Sequence, residues 1–281
     1  MKLKGRVAIV TGAGRGIGEA VSLAFAREGA DLALVSRTAS EVMRTATEVE
    51  NLGRRAIAIR ADVSDKQNVD KMVEEVIGQF GKVDILVNNA GILGPVGPMV
   101  DNKHEPWVQA VMTNLVGTFL CCKAVLPFMI KRRMGKIINM SGGGAASPRP
   151  MFSAYSASKA AVVRLTETLS EEVKEYNIQV NAIAPGAVNT RMLDEVLVAG
   201  ESAGSRAMAE ARRQKQTGGV SPAVPAALAV FLASDDSDGI TGRLISAVWD
   251  DWQAMAKQIP DIMSSDMYTL RRISPPKQGK G

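Results

Sequence analysis

The chain has 281 residues, of which 46% are apolar and 22% charged, and 34 Lys and Arg against 29 Asp and Glu leave a net charge of only +5. Both signs are mixed along the whole length without a basic stripe, which speaks against a disordered chain and against nucleic acid as a partner. One histidine, His104, and one pair of adjacent cysteines, Cys121 and Cys122, leave no material for a metal site, a histidine-based triad or a disulfide framework.

Short β-branched runs alternate with longer amphipathic ones. In chain order, strands are predicted at Val7–Thr11, Asp31–Ser36, Ala56–Arg60, Val83–Asn88, Lys136–Met140, Gln179–Ile183 and Leu244–Ala247. Helices are predicted near Gly16–Glu28, Ser40–Leu52, Gln67–Phe80, Trp107–Ile130, Ser153–Glu175 and Pro222–Ser234. Parallel strands need crossover connections, so the alternation predicts an α/β chain: a Rossmann-type, doubly wound parallel sheet of seven strands with helices on both faces, in one domain over residues 1–250.

Residues 192–220 interrupt the alternation as a polar, helical insertion of the kind that forms substrate lids. Residues 251–281 form a C-terminal extension whose last part, SPPKQGKG, reads as disordered, while Trp249 and Trp252 read as core packing. His104, beside Glu105 and Pro106, reads as a loop residue. Cys121 and Cys122 lie in an apolar run and read as small hydrophobes. No segment reaches the ~20 apolar residues of a membrane span, and the N-terminal run is too short for a secretory signal, so a reduced, cytoplasmic setting without a membrane partner is expected.

The first strand is followed by Thr11-Gly12-Ala13-Gly14-Arg15-Gly16-Ile17-Gly18. Glycines there let the backbone approach a pyrophosphate at a helix N-terminus, and the position, after the first strand of a βαβ unit, is where dinucleotides bind. An acidic residue at the end of the second strand would hold the ribose of NAD. This chain instead has Ser36-Arg37 there, and Arg37 with Arg15 offers two guanidiniums for a 2′-phosphate, so NADP (NADPH) is expected over NAD.

With this loop, Asn88-Asn89-Ala90-Gly91, Tyr155-Ser156-Ala157-Ser158-Lys159 and Pro185-Gly186, in that order, the chain resembles the short-chain dehydrogenase/reductase family from about residue 5 to residue 247. The resemblance implies a cofactor site of Gly12, Arg15, Gly16, Ile17, Gly18, Ser36, Arg37, Asp62, Val63, Asn89, Ala90, Gly91, Tyr155, Lys159, Pro185, Gly186, Val188 and Thr190, with Asp62 alternatively a helix cap. It implies Tyr155, Lys159 and Asn114 as catalytic residues, Asn114 holding a relay water, and a homo-oligomer, a tetramer or dimer, through the two long helices.

Tyr155 and Lys159 also pair by spacing, since residues four apart share a helix face. An ammonium ~4 Å from the phenol would draw its pKa down from ~10 towards the ~7 favoured for acid–base work. The family's catalytic serine falls on Gly142, with Ser141 one place earlier and so on the other face of a strand. Either the glycines bend the strand end until Ser141 reaches the substrate, or loop N–H groups or Ser153 polarise the carbonyl instead. The expected activity is NADP(H)-dependent interconversion of a small ketone and a secondary alcohol. The rivals are an NADPH-binding sensor or scaffold with weak or no catalysis, favoured by Gly142, and an epimerase or dehydratase on the same fold.

Overall fold

The structure, a computed structural model, describes residues 1–273 of the chain. The disorder expected for the end of the tail concerns 274–281, outside the described residues.

Five elements open the chain: β1 (Val7–Thr11), α1 (Gly16–Arg27), β2 (Asp31–Ser36), α2 (Ala39–Asn51) and β3 (Ala56–Arg60). They are followed by α3 (Lys66–Phe80), β4 (Ile85–Asn88), α4 (His104–Val111), α5 (Gly117–Arg132), β5 (Gly135–Met140), α6 (Ser153–Glu172) and β6 (Ile178–Ala184). The rest are α7 (Arg191–Ala199), α8 (Gly204–Thr217), α9 (Ala223–Ala233), β7 (Leu244–Ser246) and α10 (Ile259–Met263).

All seven strands pair in parallel in the order β3-β2-β1-β4-β5-β6-β7. The central strands β1, β4 and β5 are buried at every position, as expected where helices cover both faces. One core layer joins Val21, Phe25, Leu228 and Leu232 to Val10, Leu34 and Ile183. The other joins Val73, Val76, Cys121, Val125 and Met129 to Ile9, Leu86 and Ile137. Strand order reverses between β1 and β4, which opens a crevice at their carboxyl ends, the usual ligand site of such sheets.

Three expectations are corrected. His104 is the first residue of α4, not a loop residue. Pro106 is compatible with this start because N–H groups in the first turn have no partner inside the helix. Second, one helix does reach membrane-spanning length and apolarity, the 29 residues His104–Arg132. Its apolar face, including the free thiols of Cys121 and Cys122, is spent on the core against β4 and β5. Burial raises both thiol pKa values, that of Cys122 to about 12, so neither is a ready nucleophile. Third, Trp252 packs on Phe231 with ring centroids 5.7 Å apart, but Trp249 is 85% exposed.

The 192–220 insertion is the α7–α8 hairpin. Beyond β7 the chain folds back on the sheet edge: the Leu244 N–H donates to the Tyr268 carbonyl at 2.7 Å.

Candidate active site

The crevice begins with the glycine loop. Gly12 and Gly16 have φ of 65° and 59°, in the left-handed region that favours glycine. A Cβ at Gly12 would lie 2.9 Å from Asn89 Nδ2, and one at Gly18 would collide with the Gly12 carbonyl oxygen. Asn89 clamps the loop, donating from its main chain to Thr11 Oγ1 at 3.0 Å and from Nδ2 to the Thr11 carbonyl at 2.9 Å. Ala90 N–H donates to the same hydroxyl at 3.0 Å. Arg15, at the N-cap of α1, gives no side-chain cap, whereas Asp65 caps α3 by accepting from the N–H groups of Gln67 and Asn68. The first turn of α1, with Ile17 and Gly18, therefore keeps N–H groups available for an anion. A glycine floor, an uncapped helix and a strand-order reversal together fit a dinucleotide pyrophosphate.

On the side of β2 and β3 a cavity of about 340 Å³ is lined by Arg37, Arg60, Ala61, Asp62 and Asn68. Ser36 exchanges hydrogen bonds with the Thr38 main chain. Arg37 lies 3.9 Å from Asp62. Asp62 does not cap the helix; it accepts from the Ser64 N–H and hydroxyl. Val63 is buried, with its Cγ2 2.8 Å from where a Gly117 Cβ would stand. The end of β2 itself carries no carboxylate, but one approaches from α2, where Glu41 pairs with Arg15 at 2.9 Å. The backbone of α2 also passes so close that a Cβ at Gly14 would meet the Glu41 Cβ at 2.6 Å. Arg60, on an edge strand whose pattern marks it as an ordinary surface charge, is the basic neighbour of Arg37 that the sequence leaves unremarked.

At the ends of β4 and β5 the chain gathers Gly91, Asn114, Gly142, Tyr155 and Lys159. A Cβ at Gly91 would lie 3.1 Å from Asn114 Oδ1 and 3.5 Å from Lys159 Nζ. Asn114 sits in a π-helical stretch, Met112–Val116, between α4 and α5, a local widening that recurs at functional sites. Its amide accepts from the Ile92 N–H at 2.9 Å and donates to the Ile92 carbonyl and to Ser158 Oγ, both at 2.9 Å. Asn114 thus ties the segment after β4 to α6.

Tyr155 and Lys159 project from one face of α6 as their spacing predicts, but the expected acidification is reversed. Burial raises the Tyr155 pKa, and the opposing charge is Arg149. Lys159 Nζ donates to the Met140 carbonyl at 2.7 Å and lies 5.7 Å from the Tyr155 ring centroid. Burial lowers its own pKa to about 8. The ammonium is not directed at the phenol oxygen, because the buried Met140 carbonyl at the end of β5 takes it.

Ser141 is not brought to the phenol. It is 2% exposed, and its hydroxyl faces the Lys159 carbonyl at 3.4 Å. Gly142 faces the phenol instead, because a Cβ built there would collide with Tyr155 Oη. Ser153 Oγ accepts from Trp107 Nε1 at 3.0 Å and from Asn102 Nδ2 at 3.3 Å, so it is occupied at the start of α6.

Above the site, Pro185 and Gly186 lead out of β6. Val188 is buried and bridges to Val220, and the Thr190 methyl lies 3.4 Å from where a Gly16 Cβ would be, so this loop closes over the glycine loop. The hairpin that follows packs Leu193 and Val196 against Leu93, Phe152 and Tyr155. Among the described residues no cluster of three or more His, Cys, Asp or Glu exists that could hold a metal ion.

The short chain dehydrogenase family model matches residues 6–199, which carry every element of this site up to α7. The chain belongs to the short-chain dehydrogenase family. A 3-oxoacyl-acyl-carrier-protein reductase of Thermotoga maritima is 35% identical over 245 residues, covering 87% of this chain and 97% of the relative. 3beta-hydroxysteroid dehydrogenase 1 of Eggerthella lenta is 39% identical over 247 residues, covering 86% and 92%. Among solved structures, NAD+-bound xylitol dehydrogenase superposes with a TM-score of 0.82 at 30% identity, covering 88% of this chain and 98% of that one. As a short-chain dehydrogenase/reductase, the protein is an oxidoreductase of the CH–OH/C=O class whose fold binds NAD(P).

Proposed function

We propose that the protein interconverts a ketone and a secondary alcohol with NADP(H), Tyr155 exchanging the proton. One observation carries the reading: Tyr155, Lys159 and Asn114 converge beside Gly91, at the carboxyl ends of β4 and β5, next to the glycine floor. Gly12, Gly16, Ile17 and Gly18 would hold the pyrophosphate, with Asn89, Ala90 and Gly91 below and Pro185, Gly186, Val188 and Thr190 above. The bound nicotinamide supplies or accepts the hydride at the carbonyl carbon. Tyr155 gives its proton to the carbonyl oxygen as the C=O bond becomes C–O–H. A raised phenol pKa keeps that proton in place at neutral pH, which suits the reductive direction. Lys159 and Asn114 hold the Tyr155 surroundings, and the α7–α8 hairpin serves as the lid. With Ser141 turned towards α6, its proposed part shrinks to supporting the Lys159 main chain.

The preference for NADP is supported by Arg37 and Arg60 on one cavity, now in place of the pair Arg37 and Arg15. A cytoplasmic setting is supported by the two free, buried thiols. A homo-oligomer is supported by exposed Phe119 on α5; the outer face of α6 near Glu167 is taken by the chain's own tail. The sensor reading is favoured by a specific observation, the absence of a serine hydroxyl at position 142 facing the phenol.

Replacing Tyr155 with Phe separates the two. Turnover on a panel of ketones should fall about 10³-fold, within the range for lost acid–base catalysis, while NADPH affinity by fluorescence titration stays within about twofold. NADPH binding by the native protein with no turnover of any ketone would favour the sensor.

A further inference from the structure

Arg149 lies in the loop between β5 and α6, two residues before Met151, and nothing in the proton-transfer site uses it. Its guanidinium carbon sits 4.0 Å above the ring centroid of Phe152, which is fully buried. Its Nη1 comes within 3.6 Å of where a Gly143 Cβ would be, and its own Cβ within 3.3 Å of that point at Gly144. The guanidinium is therefore laid along the glycine stretch whose first member, Gly142, faces the Tyr155 phenol. It is half-buried and, among the described residues, has neither an ion-pair nor a hydrogen-bond partner. Two arginines on the lid differ, since Arg191 pairs with Glu195 and Arg206 with Glu210. Stacking on a ring fixes the plane of a guanidinium and leaves its edge N–H groups free for a planar oxyanion. Arg149 also opposes the rise in the Tyr155 pKa, so the two groups are within electrostatic reach. Around Phe152 and Tyr155 the packing is apolar, with Leu93, Leu193 and Val196 and, against them, Met192 and Met208, while Ser156 Oγ lies beside Gly144.

We propose that Arg149 is the carboxylate-binding residue of the substrate site, so that the substrates are oxo acids and hydroxy acids with an apolar chain. This rests on the reading of Tyr155 as the proton-transfer residue, and it adds the chemical class. The carboxylate pairs with the guanidinium edge, the chain lies under the lid, and the carbonyl meets the phenol. An acyl thioester whose carrier bears phosphates presents the same kind of charge, and the test separates the two sources.

Straight-chain oxo acids from levulinate to a medium-chain keto acid are each compared with their methyl esters, for binding by calorimetry and for NADPH oxidation. An acyl-coenzyme A thioester of matching length is included. The native protein should bind the best acid about 10- to 100-fold more tightly than its ester. In Arg149→Met that ratio should fall to about one, and in Arg149→Lys it should recover in part, which a purely structural stack on Phe152 would not produce. Equal affinity for acid and ester, binding of no acid, an acid preference that survives in Arg149→Met, or a thioester favoured over every free acid would each overturn the proposal. The failures are distinguishable. Turnover of esters without acid preference removes only the carboxylate class. Arg149-dependent acid binding without NADPH oxidation of any member keeps the carboxylate site and rejects the reductase reading.

Discussion

At the scale of single residues, Gly142 shapes the site by lacking a side chain. The Tyr155 ring is 8% exposed and locked among Leu93, Phe152 and Leu193, so its oxygen can rest against the end of β5 only because position 142 leaves the space. Gly142→Ala should therefore push the phenol aside. A displacement near 1 Å costs on the order of 10²-fold in rate, and overpacking about 1–3 kcal/mol in stability. Steady-state kinetics should show kcat falling while NADPH affinity holds. A variant with native kcat would mean that the phenol has room to spare. Lys159 carries a related lesson. Its distance along the helix from Tyr155 was legible from spacing alone, but its hydrogen-bond partner was not, because the Met140 carbonyl belongs to another element.

At the scale of elements, the glycine loop, β4 and α6 behave as a connected unit. Asn88 Nδ2 donates to Asn139 Oδ1, and Asn139 Nδ2 to Thr166 Oγ1, both at 2.9 Å, so buried amides link β4, β5 and α6 behind the site. Such fully buried polar chains fix one arrangement, since a broken link leaves an unpaired group in the interior. At the start of the sheet Asp84 does the same, accepting from the Val7 N–H at 2.8 Å and pairing with Lys82 and Arg132. Burial works against its charged form, but these bonds outweigh it and hold the carboxyl below its usual range. Gly18 joins α1 to the loop with no slack. Gly18→Ala should cost about 1–3 kcal/mol, lowering Tm by roughly 2–12 °C, and should weaken NADPH binding at least tenfold. Calorimetry and fluorescence titration check both, and native affinity in the variant would show that the first turn of α1 does not hold the pyrophosphate.

For the whole molecule, the C-terminal extension completes the sheet edge. Arg243, 6% exposed, donates to the carbonyls of Ile262 at 2.8 Å and Met267 at 3.2 Å. The Leu270 N–H donates to Glu167 Oε1 at 2.7 Å, and Arg271 reaches the same carboxylate at 3.3 Å. A polar cavity of about 540 Å³ lies between α6 and this tail, and its lining includes none of the residues gathered around Tyr155. Edge strands need covering, and here the chain supplies its own cover. Arg243→Met should free the segment around 262–270, raising amide exchange at Leu244 by at least tenfold and costing about 1–3 kcal/mol. Unchanged protection of that amide would show that apolar packing at Met255 and Ile262 anchors the tail unaided.

By itself the sequence determined the seven strands nearly to the residue, the helices between them and the position of the glycine loop. Those features follow from local rules, the period of apolar residues and the φ angles only glycine adopts freely. It also determined that Tyr155 and Lys159 share a face, since helical spacing is local too. Only the tertiary structure decided that Ser141 turns to α6 while Gly142 faces the phenol, that Glu41 reaches Arg15, and that Arg149 lies on Phe152 with no partner among the described residues. Each of these depends on where a strand end or loop comes to rest against a different element. That resting place is set by packing across the sheet, which no local pattern of residues encodes.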